Sequence, residues 1–259
     1  MSQNKAKDAL AFCLGIVLIG AVIQGAGELK GDALVFPGVD EILRAFFRLM
    51  GQGKTYALIL TTMKHLIAAM AVSTAIGVGL GLAMGMLPFL RRMMQPLMIF
   101  LRSLPMVILI VIMMVVADYA HVPVLASSIV LVPMIAEAAC EGCVRIDREL
   151  IDVYRMNANF NGRVLLRVYL PLMAGYLRQA WVNAVGMGVK LAVSTEYLVQ
   201  TKNSLGKAVH TSGYFNEYQD IYAYALVMIL LVLAVSEAPV WLMNALGRWK
   251  AKRMEQEHP

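Results

Sequence analysis

Several clusters in the sequence hold residue types that do chemistry in other proteins. Cys140 and Cys143 stand in CEGC, the C-x-x-C spacing of a redox dithiol or half a zinc site. No second Cys/His pair lies near them, so two small residues closing an apolar helix are the simpler account. Cys13, in another apolar run, reads the same way. Gly51–Thr55, GQGKT, matches the tail of a phosphate-binding loop, but Arg48 stands where that pattern needs its first glycine. SLGKA around Lys207 fails likewise, with Thr201 at that position. The chain therefore has no nucleotide site of its own. His65, His121, His210 and His258 are scattered and suggest no catalytic constellation. What remains are charges inside apolar runs: Lys64, Lys190 and Glu196. An ionised side chain at mid-bilayer costs about 2.5–3.5 kcal/mol on insertion scales, so it faces a cavity or a partner. Lys190 could meet an anion, or pair with Glu196, Glu237 or a neighbouring subunit. Lys64 could line a path or snorkel outward.

The elements carrying these residues belong to a membrane protein. Of 259 residues 59% are apolar and only 15% charged, against about 45–50% and about 25% in soluble domains; mean hydropathy is +0.67. Nucleic-acid binding, the other reading of a net charge of +6, finds no basic run interleaved with aromatic residues. Apolar segments predict six transmembrane helices: Ala9–Gly25, Tyr56–Leu87, Pro96–Ala117 (kinked at Pro105), Pro123–Ala139, Leu172–Val199 and Ile221–Leu246. Pro88–Gln95, with Arg91 and Arg92, reads as a turn. Between the first two helices, Phe36–Met50 puts Ile42, Phe46, Leu49 and Met50 on one side of an amphipathic helix lying on the membrane or against the bundle. In the second helix Gly77, Gly81 and Gly85 follow Ser73 at four-residue spacing, a groove for close helix packing. With the N-terminus inside, thirteen lysines and arginines fall on the inner side and six on the outer. That bias places both termini in the cytoplasm.

The polar stretch Glu141–Pro171 thereby lies in the cytoplasm. It holds Arg145, Arg148, Arg155, Arg163 and Arg167 against Asp147, Glu149 and Asp152. Asp147–Asn157 reads as a short helix with Ile146, Leu150, Ile151 and Tyr154 on an apolar side. Asn157–Gly162, NANFNG, is a turn, and Val164–Leu170 resumes a helical pattern. An apolar side outside the membrane needs cover. Its charges are mixed in sign, which favours docking on a protein over a lipid surface.

VRIDRELID before this turn, VYLPLMAGYLRQAWVNAVGMGVKLAVSTEYL after it, NSLG at Asn203–Gly206 and QPLMIFLRSLP in the earlier half resemble one family. It is that of the permease subunits of bacterial binding-protein-dependent type-I ABC importers, nearest to the nitrate/sulfonate/taurine branch. The resemblance covers about Tyr56–Leu246. The family's signature is Glu-Ala-Ala, three residues, Gly, nine residues, Ile-x-Leu-Pro. The literal EAA at Glu137–Ala139 is too far from Leu170-Pro171. Counting back from Leu170-Pro171 puts the motif on Asp152, Val153 and Tyr154, with Ala158 at the glycine and Val168 at the isoleucine. In the third helix Val111 and Met114–Val116 stand where the branch has a second proline and Trp-Phe-Gly.

The resemblance implies an all-α integral membrane fold of six transmembrane helices, with a cytoplasmic coupling helix between helices 4 and 5. Residues 1–55 are the N-terminal helix and extracytoplasmic amphipathic segment, 56–246 the transmembrane domain and 247–259 a basic tail. It implies that Leu150, Asp152, Val153, Tyr154, Arg155, Ala158, Asn159 and Phe160 contact a separate ATPase, which binds the ATP; this chain is not an enzyme and holds no cofactor. The implied partners are a second permease copy (a homodimer), two ATP-binding cassette subunits and an extracytoplasmic substrate-binding protein. The implied place is the bacterial inner membrane. The implied activity is import of a small solute, with organic anions and vitamin precursors as candidates, by coupling ATPase motion to alternating access. A self-contained secondary transporter or a membrane enzyme is the rival. The first would show inverted repeats and the second a metal or nucleophile cluster, and neither is evident.

Overall fold

The computed structural model of the chain describes residues 37–146 and 168–236, with Gly25, Val35 and Val164 besides. The described residues are helical, without a strand. Helix α1, Val39–Met50, buries Ile42, Ala45 and Leu49 at the three- and four-residue spacing of one face, and Phe46 and Met50 pack beside them. Asp40 and Glu41 in its first turn and Arg48 in its last suit the helix dipole. Helix α2, Gly53–Met86, has 34 residues and is about 51 Å long, well beyond the about 30 Å of bilayer hydrocarbon.

Prolines mark the next boundaries. Leu87 and Leu104 are extended because each precedes a proline, which disfavours the helical conformation. Helix α3 is Pro88–Ser103 and α4 is Met106–Val116, and the two are bent by 98°. This differs from the expected turn at Pro88–Gln95 and single kinked helix Pro96–Ala117. Pro88 opens α3, where its missing N–H is not needed, and Pro96 is accommodated inside it. Pro105 ends the helix outright. Helix α5 is Val122–Val144 and α6 is Leu170–Val199. Helix α7, Leu205–Tyr214, is one the sequence reading missed. Helix α8 is described over Tyr218–Ser236.

The core is a three-helix unit. Ser128 Oγ donates to Ala69 O at 3.4 Å, and Ser73 Oγ to Ser128 O at 3.5 Å. Further along, Gly77 faces Ile135, Gly81 faces Ala136 and Ala139, and Gly85 faces Cys143. Positions rise together, so α2 and α5 run parallel. A Cβ on Gly81 would sit 2.4 Å from Ala136 O. The two backbones meet only because that side chain is absent. Helix α6 runs antiparallel to both, with Gly142 beside Met173 and Gly188 beside Leu66 and Leu131. Leu49, Leu58, Leu66, Leu131, Val189, Leu205 and Leu231 belong to one cluster that joins α1, α7 and α8 to this unit.

Helices α2, α5 and α8 are long and apolar enough to cross a membrane. The α3–α4 pair is a fourth crossing if it is one broken span. Six were expected. Of the expected first helix, Ala9–Gly25, all but Gly25 lies outside the described residues. Helix α6 has 30 residues but carries Arg178, Lys190 and Glu196 and is less apolar than those three.

Candidate functional site

Helix α6 presents two unlike faces. Glu196 is fully buried. Thr62 Oγ1 donates to Glu196 Oε2 at 2.8 Å and the Gly206 N–H donates to the same oxygen at 3.2 Å. His65 Nδ1 lies 2.7 Å from Oε1. The Leu205 N–H in turn donates to Thr62 Oγ1 at 3.1 Å. The carboxylate thus sits at the N-terminus of α7, where free N–H groups and the helix dipole favour negative charge. Ser204 caps the same turn, accepting from the Lys207 N–H at 3.2 Å.

The chain is shaped to bring α7 there. Helix α6 ends with Gln200 left-handed, at φ 55. The Thr201 N–H bonds back to Glu196 O at 3.2 Å, the pairing of a Schellman cap. Asn203, also left-handed at φ 54, reverses the chain. Gly206 then packs on α6 so closely that a Cβ would lie 2.5 Å from Val193 O. Three helices, α2, α6 and α7, therefore meet at one carboxylate.

The other face of α6 is open. Gln179, Asn183, Met187, Lys190, Ser194 and Tyr197 recur at three- and four-residue intervals and are all exposed. At about 100° per residue they share an arc of about 80°, and they extend over about 27 Å. Gln179 Nε2 donates to Asn183 Oδ1 along this face at 3.3 Å. Lys190 has no hydrogen-bond or ion-pair partner among the described residues. It lies about 120° around the helix from Glu196, so the two do not pair. Lys64 is exposed on α2 between Leu60 and Ile67, away from both.

Each end of the unit has a cavity. One of about 600 Å³ is lined by Met84, Arg91, Arg92, Gln95, Glu137 and Glu141, beside an ion pair between Arg102 and Glu137. The other, about 530 Å³, is lined by Lys54, Lys202, Lys207, Glu217 and Asp220, with Asp220 paired to Arg48. Cys140 and Cys143 are buried free thiols in α5. No group of His, Cys, Asp and Glu that could hold a metal occurs among the described residues.

Of the residues singled out by sequence, the structure places Gly77, Gly81 and Gly85 together against α5, and sets Glu196, Lys190 and Lys64 apart. Leu150, Asp152, Val153, Tyr154, Arg155, Ala158, Asn159 and Phe160 lie outside the described residues. The reading missed Thr62 and Gly206 and took His65 as one of four scattered histidines. The available signal was Thr62 and His65 one helical turn apart in an apolar helix.

Comparison with solved structures finds the same fold in the MetNI methionine ABC transporter in inward-facing conformations. A SeMet-soaked crystal form matches with a TM-score of 0.65 at 17% identity, over 75% of this chain and 98% of that one. A native form matches at 0.59 and 20% identity, over 73% and 96%. No curated protein sequence matches. Residues 75–252 match the family model of the binding-protein-dependent transport system inner membrane component. The matched region takes in both bent helices, α5, α6, α7 and α8, with the last third of α2, so this chain is a member of that family of membrane transport permeases.

Proposed function

We propose that this chain is the permease subunit of a type-I ATP-driven importer of a small solute. The family match over residues 75–252 carries the reading, and the fold shared with an ABC transporter supports it. On this reading two permease copies enclose a solute path, two ATPase subunits drive it from the cytoplasm, and an extracytoplasmic binding protein delivers the solute. The chain crosses the inner membrane six times with both termini inside. VRIDRELID and the sequence after Pro171 favour the nitrate/sulfonate/taurine-like branch.

The ATPase contact falls on Leu150, Asp152, Val153, Tyr154, Arg155, Ala158, Asn159 and Phe160, in the segment joining α5 to α6. Both helices belong to the tightly packed core, so a push on that segment reaches α2 as well. Lys190 is assigned to the solute path. Glu196, enclosed by Thr62, His65 and Gly206, acts instead as the tie between α2, α6 and α7.

Co-purification tests the assembly. The wild-type chain is expected to retain its ATPase through affinity purification. Asp152→Lys combined with Arg155→Glu is expected to lose it while still inserting in the membrane. Undiminished retention would sink the assigned contact. Solute uptake by the purified chain alone, without ATP, would instead establish a secondary transporter.

A further inference from the structure

Helix α3 meets α4 at 98°, so the two cannot both run along the membrane normal. Helix α4, MVILIVIMMVV, has no polar side chain in its 11 residues and suits the hydrocarbon. Helix α3 holds Arg91, Arg92 and Arg102 with no Asp or Glu, and an arginine at mid-bilayer is costly.

At about 100° per residue α3 has three sectors. Leu90, Met94 and Met98 pack with Met84, Ala136 and Cys140. Phe89, Met93, Leu97 and Phe100 share an arc of about 80° on one flank of that packed sector, and all four are exposed. Arg91, Arg92, Gln95 and Arg102 lie on the other flank, with Ile99 exposed among them. The apolar edge and the arginine side are centred about 155° apart. That is the order for a helix in the membrane interface, with lipid below it, water above it and protein at its side.

The cavity of about 600 Å³ at this end adds a site. Arg91, Arg92 and Gln95 line it from α3, and Met84, Pro88 and Met98 give it an apolar wall. Its two carboxylates are already met, Glu137 by Arg102 and Glu141 by Arg145. Arg91 and Arg92 have no ion-pair partner among the described residues, so the cavity is short of negative charge.

We infer that α3 lies in the membrane interface and that Arg91 and Arg92 hold the phosphate of an anionic phospholipid there. Guanidinium groups donate paired N–H bonds to phosphate oxygens, and Gln95 adds a neutral donor. The acyl chains run past the helix into the layer that Phe89, Met93, Leu97 and Phe100 occupy. The inference goes beyond the transport reading and requires only that the chain sit in a membrane.

Two measurements on the full chain test it. Single cysteines at Phe89 and Phe100, with Cys13, Cys140 and Cys143 replaced by alanine, carry spin labels that report depth in vesicles containing phosphatidylglycerol. A helix in the interface holds both labels within a few Å of one depth, whereas a crossing helix separates them by about 16 Å. That separation would overturn the placement. For the ligand, delipidated protein in neutral detergent is titrated with phosphatidylglycerol, phosphatidylcholine or inorganic phosphate while its thermal midpoint is followed. Phosphatidylglycerol is expected to raise the midpoint and the other two are not. Arg91→Gln with Arg92→Gln should need about thirtyfold more phosphatidylglycerol, about fivefold for each basic residue. Lys54→Gln with Lys202→Gln removes the same charge from the other cavity and should respond like the wild type. An equal response to inorganic phosphate would make the site one for a soluble anion. An equal loss in both double variants would reduce the effect to net charge. Either result, or no response to phosphatidylglycerol, would overturn the lipid site.

Discussion

Glu196 illustrates how a single acid is tolerated in the buried face of a largely apolar helix. Its two oxygens are met by Thr62, the Gly206 N–H and His65, so the carboxylate is exchanged from water to a set of fixed donors. Removing one member of such a buried cluster strands the rest, which is worth more than the bonds themselves. Glu196→Ala is expected to lower stability by about 3 kcal/mol, and Thr62→Val by about 1–3 kcal/mol because it also orphans the Leu205 N–H. Thermal unfolding of the purified protein in detergent measures both, and an unchanged midpoint for Glu196→Ala would refute the tie. That Glu196 needed partners was legible from its place in an apolar run. Which partners they are was not, since Thr62 lies 134 and His65 131 positions away in the chain.

Among the elements, α2 and α5 depend on what the glycines lack. Gly81→Ala would press a methyl group to 2.4 Å from Ala136 O, and the backbone there cannot yield without parting the helices. Gly79, in the same helix, has nothing within 4 Å of its would-be Cβ. Gly79→Ala is therefore expected to be neutral or stabilising by up to about 1 kcal/mol, whereas Gly81→Ala should unfold at a clearly lower temperature in the same assay. The four-residue spacing made this face readable in advance. Helix α7 was unreadable for the opposite reason. LGKAVHTSGY has no strong apolar period, and its helix is held by the Ser204 cap, the buried Leu205 and the Glu196 carboxylate, contacts that exist only once the chain has folded. At Pro105 the sequence indicated a disturbance but not its size; the 98° bend also reflects Leu104, which the proline holds extended.

Across the whole molecule, the two cavities mark opposite ends of α2, one near Lys54 and one near Met84. Under the proposed topology the Lys54, Lys202 and Lys207 end faces outward and the Arg91 and Arg92 end faces the cytoplasm. In a background free of native cysteines, Lys202→Cys should be labelled by a membrane-impermeant thiol reagent on intact spheroplasts, and Arg92→Cys only on inverted vesicles. The reverse pattern would invert the topology. The bias of Lys and Arg is what the proposed sidedness rests on, while the packing of α6 against two helices running the opposite way came only from the fold.

The position of Glu196 ahead of its donors in the chain bears on biogenesis. During synthesis α6 leaves the ribosome before Leu205 and Gly206, so its acid waits for two of its ligands until α7 has emerged. A nascent or truncated product ending before Leu205 carries a carboxylate in the bilayer that lacks those backbone donors. Such a product is expected to be held by the insertion machinery or cleared by membrane proteases, whereas one extending through Tyr214 can close the cluster. The order of the sequence thus leaves the acid that ties the finished protein together without two of its donors until α7 has been made.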